Sequence, residues 1–157
     1  MENRNTETER KFLVSSDDFK AEAFRKTRIV QGYLSSVPER TVRVRIKGGK
    51  GFLTIKGVPA GITRFEWERE IPLDDAEELM KLCETGVIDK IRYEIRTGRF
   101  TLEVDEFFGD NLGLILAEIE LDSPDDVFEK PDWIGEEVSG DNKYYNSNLV
   151  RNPYRNW

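Results

Sequence analysis

The 157-residue sequence contains no histidine. That absence removes Ser-His-Asp and Cys-His catalysis and most zinc enzymes, whose ligand sets lean on imidazole. There is one cysteine, Cys83, so neither a disulfide framework nor a cysteine-rich zinc site can form within the chain. No apolar run approaches transmembrane length, and the opening Met-Glu-Asn-Arg-Asn-Thr-Glu lacks an apolar signal core. A cytoplasmic protein with no membrane partner is expected. Internal repeats, low-complexity stretches and linkers are lacking too, so residues 1–157 read as one domain, long enough to enclose a core. A hard metal ion held by carboxylate oxygens remains open.

What the sequence has in excess is charge. Asp, Glu, Lys and Arg make up 35% of it, against about a quarter in ordinary globular domains. The net charge of -7 repels nucleic-acid backbone at long range. No nucleic-acid partner is expected, and any anion the chain binds must meet a local basic patch.

The charge alternates. Successive side chains of an extended chain point to opposite faces. Between Glu7 and Val14, Glu7, Glu9, Lys11 and Leu13 share one face, and Phe12 and Val14 the other. Alternation of this kind predicts further strands over 27–35, 41–47, 52–56, 62–71, 87–96, 99–105 and 114–121. Helices are predicted over 18–26, after Asp74 with Glu77 in the capping-box place, over 123–128 with Ser123 as cap, and over 141–149. Cys83 reads as a small core residue of the second helix, and Trp67 as an outward residue packed under a helix. Residues 133–135 read as a loop, and 152–157 as a tail.

Seven of the eight predicted strands carry charge on one face. That face collects ten acids: Glu7, Glu9, Glu66, Glu68, Glu70, Glu94, Glu103, Asp105, Glu118 and Glu120. It also collects ten bases: Lys11, Arg43, Arg45, Lys47, Lys56, Arg64, Lys90, Arg92, Arg96 and Arg99. The signs are sorted by strand, whereas surface charge is normally interspersed. A solvated face on an open sheet is one reading. The other is an α+β fold, an eight-stranded antiparallel β-barrel with a charged lumen and helices packed outside. Such a lumen costs several kcal/mol per unpaired charge. Cross-lumen pairs offset part of that, and a bound polyanion with a divalent metal would offset more.

The ordered motifs resemble a known family. Glu7-x-Glu9-x-Lys11 is similar to the ExExK signature of the CYTH superfamily, the triphosphate tunnel metalloenzymes. Gln31-Gly32-Tyr33-Leu34, Arg43-Val44-Arg45, Thr54-Ile55-Lys56, Arg64-Phe65-Glu66-Trp67-Glu68 and Lys90-Ile91-Arg92-Tyr93 resemble its successive strands. Glu103-Val104-Asp105 and Glu118-Ile119-Glu120 resemble its paired acidic strands, and Asp141–Asn146 its C-terminal DxRYxN helix, over residues 6–149 in all. Two positions depart from the pattern. Thr8 stands where a branched apolar residue is usual, and Lys143 where arginine is, which loses the bidentate fork.

The resemblance implies an eight-stranded tunnel that binds a small-molecule triphosphate or polyphosphate. Within the family the chain looks most like the short bacterial inorganic tripolyphosphatases, which implies metal-dependent hydrolysis of tripolyphosphate to pyrophosphate and phosphate. Class IV adenylyl cyclase and thiamine triphosphatase activities are the alternatives within the family, and a non-catalytic polyphosphate-binding module is the alternative outside enzymes. Lys11, Arg43, Arg45, Lys56, Lys90 and Arg92 would hold phosphate, with Arg64 and Lys143 as further candidates. Glu7, Glu9, Asp105, Glu118 and Glu120 would hold Mg²⁺ or Mn²⁺. Glu66, Glu68 and Glu103 are ligands or arginine partners. Lys90, crowded by Arg92, is the candidate general base, with a plain phosphate clamp as the other reading. A homodimer is left open.

Overall fold

The alternating segments close into a barrel in the computed structural model, which describes residues 5–157. The strands are β1 (Thr6–Val14), β2 (Arg25–Ser35), β3 (Arg40–Lys47), β4 (Lys50–Gly57), β5 (Thr63–Ile71), β6 (Ile88–Thr97), β7 (Phe100–Phe107), β8 (Ile115–Leu121) and β9 (Ile134–Glu137). The first eight form a ring in the order β1-β5-β4-β3-β2-β6-β7-β8, which returns to β1, with every pairing antiparallel. The seam between β5 and β1 is short. It consists of the pairs Thr6 with Phe65, Glu7 with Arg64 and Thr8 with Thr63. A hydroxyl contact of 2.9 Å between Thr8 and Thr63 reinforces it, so Thr8 has a role at the seam.

Beyond that seam the other half of the same β1 edge would stand open. Residues 133–135, expected as a loop, instead lead into β9, which pairs Phe12 with Glu137 and Val14 with Ile134. An unpaired strand edge is thereby covered.

The inward positions change character along each strand. On β6 they run Ile88, Lys90, Arg92, Glu94; on β1 they run Leu13, Lys11, Glu9, Glu7; on β8 they run Leu116, Glu118, Glu120. One end of the barrel is therefore apolar inside. Tyr33, Ile88, Phe107 and Leu116 form a buried cluster there with Tyr144, Leu149 and Val150 of the C-terminal segment. On the outside of β6, β7, β8 and β1 a second cluster gathers Phe12, Tyr93, Leu102, Val104 and Ile119 under Phe19, Phe128 and Trp133.

The helices are shorter than the sequence suggests. α1 spans Phe19–Glu22, not 18–26, because Arg25 already pairs with Glu94 in the β2–β6 ladder. α2 spans Leu73–Met80 and is capped by Pro72, not Asp74; Asp74 and Asp75 lie in its first turn, where acids suit the helix dipole. Residues 123–128 form no helix. Asp126 accepts from the backbone N–H groups of Asp122 and Ser123 at 3.0 and 2.9 Å, and the chain then delivers Phe128 onto Phe12, with ring centres 5.6 Å apart. The helix expected over 141–149 is broken at Tyr145 (φ -70°, ψ 134°) into a 3₁₀ turn, Asn142–Tyr144, and α3, Asn146–Leu149. The tail carries a 3₁₀ turn at Tyr154–Asn156. Trp67 lies under the Arg69 guanidinium, 4.9 Å from its ring centre. Cys83 is half-buried, its Sγ 3.5 Å from the Leu79 carbonyl. Among the described residues, no helix is long and apolar enough to cross a membrane.

α2 lies across β2, β3 and β4. The approach is so close that a Cβ at Gly51 would sit 2.5 Å from the Ala76 Cβ. Gly51→Ala is therefore expected to push α2 off the barrel and lower stability by about 1–3 kcal/mol, measured by urea unfolding. A loss below about 0.5 kcal/mol, within the range of neutral surface changes, would show that the contact gives way freely.

Candidate active site

The lumen holds its charges in a definite order. At its base Lys90 is 1% exposed and donates to Asp105 Oδ2 and to Asn146 Oδ1, each at 2.8 Å. Arg92 donates to both oxygens of the same carboxylate, through Nε at 2.8 Å and Nη2 at 2.9 Å, and to Glu103 at 2.9 Å. Lys11 lies 3.3 Å from Glu118 and donates to the Tyr144 carbonyl at 3.2 Å, with the Tyr145 ring 5.0 Å away. Lys56 contacts Glu7 at 2.5 Å and Glu66 at 3.4 Å. Thr54 bridges Arg43 and Glu68, donating to the acid at 2.8 Å and accepting from the arginine at 3.0 Å.

Among the described residues, two arginines of the lumen, Arg45 and Arg64, have only neutral partners. Arg45 is buried, and its Nε donates to the Gln31 Oε1 at 2.8 Å. Burial, then Arg43 and Arg92 beside it, push its pKa down to about 9. Arg64 donates to the Gly57 carbonyl at 2.8 Å and the Thr41 hydroxyl at 2.9 Å. In addition the Nε of Arg43 is buried with no hydrogen-bond partner among the described residues. Burial lowers Lys90 to about 7, as Arg92 and Arg45 also do, against the pull of Asp105.

The residues form a central cavity of about 60 Å³, lined by Lys11, Arg43, Arg45, Lys56, Lys90 and Arg92 together with Glu9 and Glu118. Arg64 lines it too, and also faces an outer cavity of about 430 Å³ between Pro38, Val58, Pro59 and Tyr145. At the far end Glu94, Glu103 and Glu120 line a wide mouth of about 550 Å³.

The carboxylates strain against one another. Burial raises Glu9 to about 7, helped by Glu118 and Glu7; burial raises Glu120 to about 7, helped by Glu7, Glu103 and Glu9. Glu7 is likewise raised to about 7 by burial, against Lys56. Glu118 moves the other way, to about 2: burial pushes it up, but Lys11, Arg92 and Lys90 together pull it down further. Among the described residues no three acids form a ready-made metal cage. The donor set nevertheless suits a hard divalent ion: all are carboxylate oxygens, and their mutual repulsion is what such an ion relieves.

Several expected positions lie elsewhere. Lys143 is not in the lumen; it is exposed, and its ammonium lies 4.5 Å from the Trp157 ring centre, since the Asp141 carboxylate accepts from the Lys143 backbone N–H and turns it outward. Asp105 has both oxygens taken by Lys90 and Arg92. Arg99 is an exposed rim residue paired with Asp122 at 2.7 Å, and Arg96 is exposed over the Phe24 ring. Gln31, Tyr33, Thr41, Thr54, Tyr145, Asn146 and Ser147 belong to the site but were not singled out by charge. For Gln31 and Thr54 the alternation alone was a signal, because each shares the inward parity of its strand.

A closed β-barrel with a cationic wall, a carboxylate mouth and an apolar end covered by the C-terminal segment has the charge order that suits an anion. The chain belongs to the CYTH domain family, which matches residues 5–149. A protein of Acetivibrio thermocellus named inorganic triphosphatase is 51% identical over 152 residues, covering 96% of this chain and 97% of that one. A protein of Nitrosomonas europaea with the same name is 35% identical over 150 residues, covering 92% and 97%. A crystal structure of an inorganic triphosphatase superposes with a TM-score of 0.66 at 32% identity, covering 92% of this chain and 93% of that one.

Two outcomes follow from the electrostatics. Glu7, Glu9 and Glu120 hold more protons folded than unfolded between pH 4.5 and about 7, so metal-free stability falls as pH rises through that window. With no histidine to titrate there, and with Lys90 opposing the trend only from about pH 7 upward, the melting temperature is expected to drop from pH 5 to 7. Added Mg²⁺ or Mn²⁺ should raise it more at pH 7.5 than at pH 5. A flat profile would mean that these acids ionise without mutual hindrance.

Asp105→Asn is expected to lose roughly 3–5 kcal/mol by leaving two buried cations under-compensated. Glu9→Gln should instead raise the metal-free melting temperature at pH 7.5. Equal losses from both would remove the distinction between counter-ion and repelled acid.

Proposed function

We propose that this chain hydrolyses inorganic triphosphate to pyrophosphate and phosphate, by attack of water on a terminal phosphoryl group, with Mg²⁺ or Mn²⁺ as cofactor. The observation that carries this reading is Arg45, a buried guanidinium with a neutral acceptor where a carboxylate would be expected. Such a charge calls for an anion from outside the chain. The unpartnered Nε of Arg43 beside it supports the same conclusion. So do the names of the two relatives.

In this reading Arg43, Arg45 and Arg92 grip phosphoryl oxygens with planar donor forks, while Lys11 and Lys56 act as point charges. Arg64 meets the chain of phosphates at the outer cavity. Glu7, Glu9, Glu118 and Glu120 would hold the divalent cation, which when bound neutralises charge on the phosphate oxygens. Asp105 serves as the counter-ion of Lys90 and Arg92. Lys90, held near pH 7 by burial, takes the proton of the attacking water. Lys90 lines the central cavity, which suits that role.

The outer cavity supports a second reading. Its Pro38, Val58 and Pro59 wall would suit an organic group attached to the triphosphate.

Phosphate release from tripolyphosphate, ATP and thiamine triphosphate, with and without Mg²⁺ or Mn²⁺, tests both. Metal-dependent release is expected, fastest with tripolyphosphate. No release from any of the three with either metal would defeat the enzyme reading. Lys90→Ala is expected to lower kcat by about 100-fold or more with little change in KM. A collapse of affinity at unchanged kcat would make Lys90 a phosphate clamp.

A further inference from the structure

Binding a polyanion requires cations that are held in place without being neutralised. The barrel achieves this for Arg45 through one uncharged side chain, which also reaches Lys90 by way of Asn146. Gln31 is fully buried on the inward face of β2. Its Oε1 accepts from Arg45 Nε at 2.8 Å, and its Nε2 donates to Asn146 Oδ1 at 3.0 Å and to the Tyr33 hydroxyl at 3.3 Å. The same Asn146 oxygen accepts from Lys90 Nζ at 2.8 Å. A line of three hydrogen bonds therefore joins Arg45 on β3, Gln31 on β2, Asn146 on α3 and Lys90 on β6.

Only an amide serves at both ends of residue 31. The arginine needs an acceptor, and the asparagine oxygen, already turned to Lys90, needs a donor. A carboxylate of the same shape would satisfy Arg45 too well, cancelling the charge that an anion would otherwise meet. It would also face the Asn146 oxygen with another oxygen. An apolar residue would leave the buried Arg45 Nε without its acceptor. Asn146 lines the central cavity, whereas Gln31 stands behind it.

We propose that Gln31 is a positioning residue of the tunnel: its amide fixes Arg45 directly, leaving that charge free for substrate, and holds the Lys90 amine in place by way of Asn146. The proposal rests on the triphosphatase reading for its kinetics, but its binding arm does not require turnover.

The test compares Gln31→Glu and Asn146→Ala with the parent, by steady-state hydrolysis of tripolyphosphate with Mn²⁺ or Mg²⁺ and by calorimetric Kd for tripolyphosphate. Gln31→Glu is expected to raise KM and Kd by at least about tenfold, as loss of a charged hydrogen-bonding arrangement does, while its melting temperature holds or rises. A merely structural role would make activity follow stability, so that split is the decisive readout. Asn146→Ala is expected to lower kcat at least about fivefold, since Lys90 loses an acceptor, with KM changing less because Arg45 keeps Gln31. KM and Kd within twofold of the parent for Gln31→Glu would overturn the proposal. If Gln31→Glu does not fold, Asn146→Ala decides alone, and an unchanged kcat overturns it. A parent that binds tripolyphosphate without hydrolysing it defeats the enzyme reading only, and Kd alone then decides between the two outcomes.

Discussion

Lys90 and Arg92 can lie two positions apart on β6, both out of water, because one carboxylate from the neighbouring strand serves them both. The β6–β7 register places Asp105 opposite Arg92 and one step from Lys90. Removing charge from a buried group is how an unpaired lysine or acid normally escapes the cost of burial. Asp105 offers another way, and its own pKa is driven well down by the two cations despite its burial. Arg92 also reaches Glu103 at 2.9 Å, whereas Arg45 on β3 adds a third cation close by with a neutral partner. The positive charge left unbalanced at this level of the lumen is therefore that of Arg45.

The excess is confined on both sides. Toward one end the inward positions turn apolar, and Leu13, Ile88, Phe107 and Leu116 meet the terminal segment there. Toward the other they turn acidic, with Glu120 and Glu103 in the wide mouth. A polyphosphate alone would be attracted by the middle of the lumen and repelled by the mouth. The same mouth favours a divalent cation, and an anion carrying such a cation is repelled much less. Charge order along the axis would thus couple the two proposed ligands, so that each would bind better in the presence of the other.

Much of this was legible in sequence because a strand has a period of two. Once Arg43 and Arg45, or Lys90 and Arg92, alternate with apolar neighbours, their common face follows from backbone geometry. The motifs then gave that face a meaning. What the sequence concealed has physical causes of a different kind. The period shows which positions share a face but not how deep each one lies, so Arg96 and Arg99 were grouped with Arg92 although they stand at the rim. A helical reading of residues 141–149 fits their spacing, yet the turn at Tyr145 breaks it and sends Lys143 outward over Trp157. Short β9 has no alternation long enough to register and exists because β1 needs a partner. Neutral residues such as Gln31 and Asn146 fall outside any search for charge.

Those neutral residues account for a feature that charge alone leaves unexplained. Two of the tunnel's lysines, Lys11 and Lys90, point at the terminal segment, and it answers them with the Tyr144 carbonyl and the Asn146 amide oxygen. A carboxylate in either place would give a second acid to a lysine that already has one, Glu118 for Lys11 and Asp105 for Lys90. It would also compete directly with every phosphate oxygen that approached. An uncharged acceptor contributes roughly 1 kcal/mol of net hydrogen bonding, enough to hold a side chain in place, while the cation's field still reaches into the cavity. The break at Tyr145 has the same logic, because a continuous helix would spend its Tyr144 carbonyl on its own backbone. A segment that looks irregular is irregular where its polar groups are needed by the lysines of the lumen.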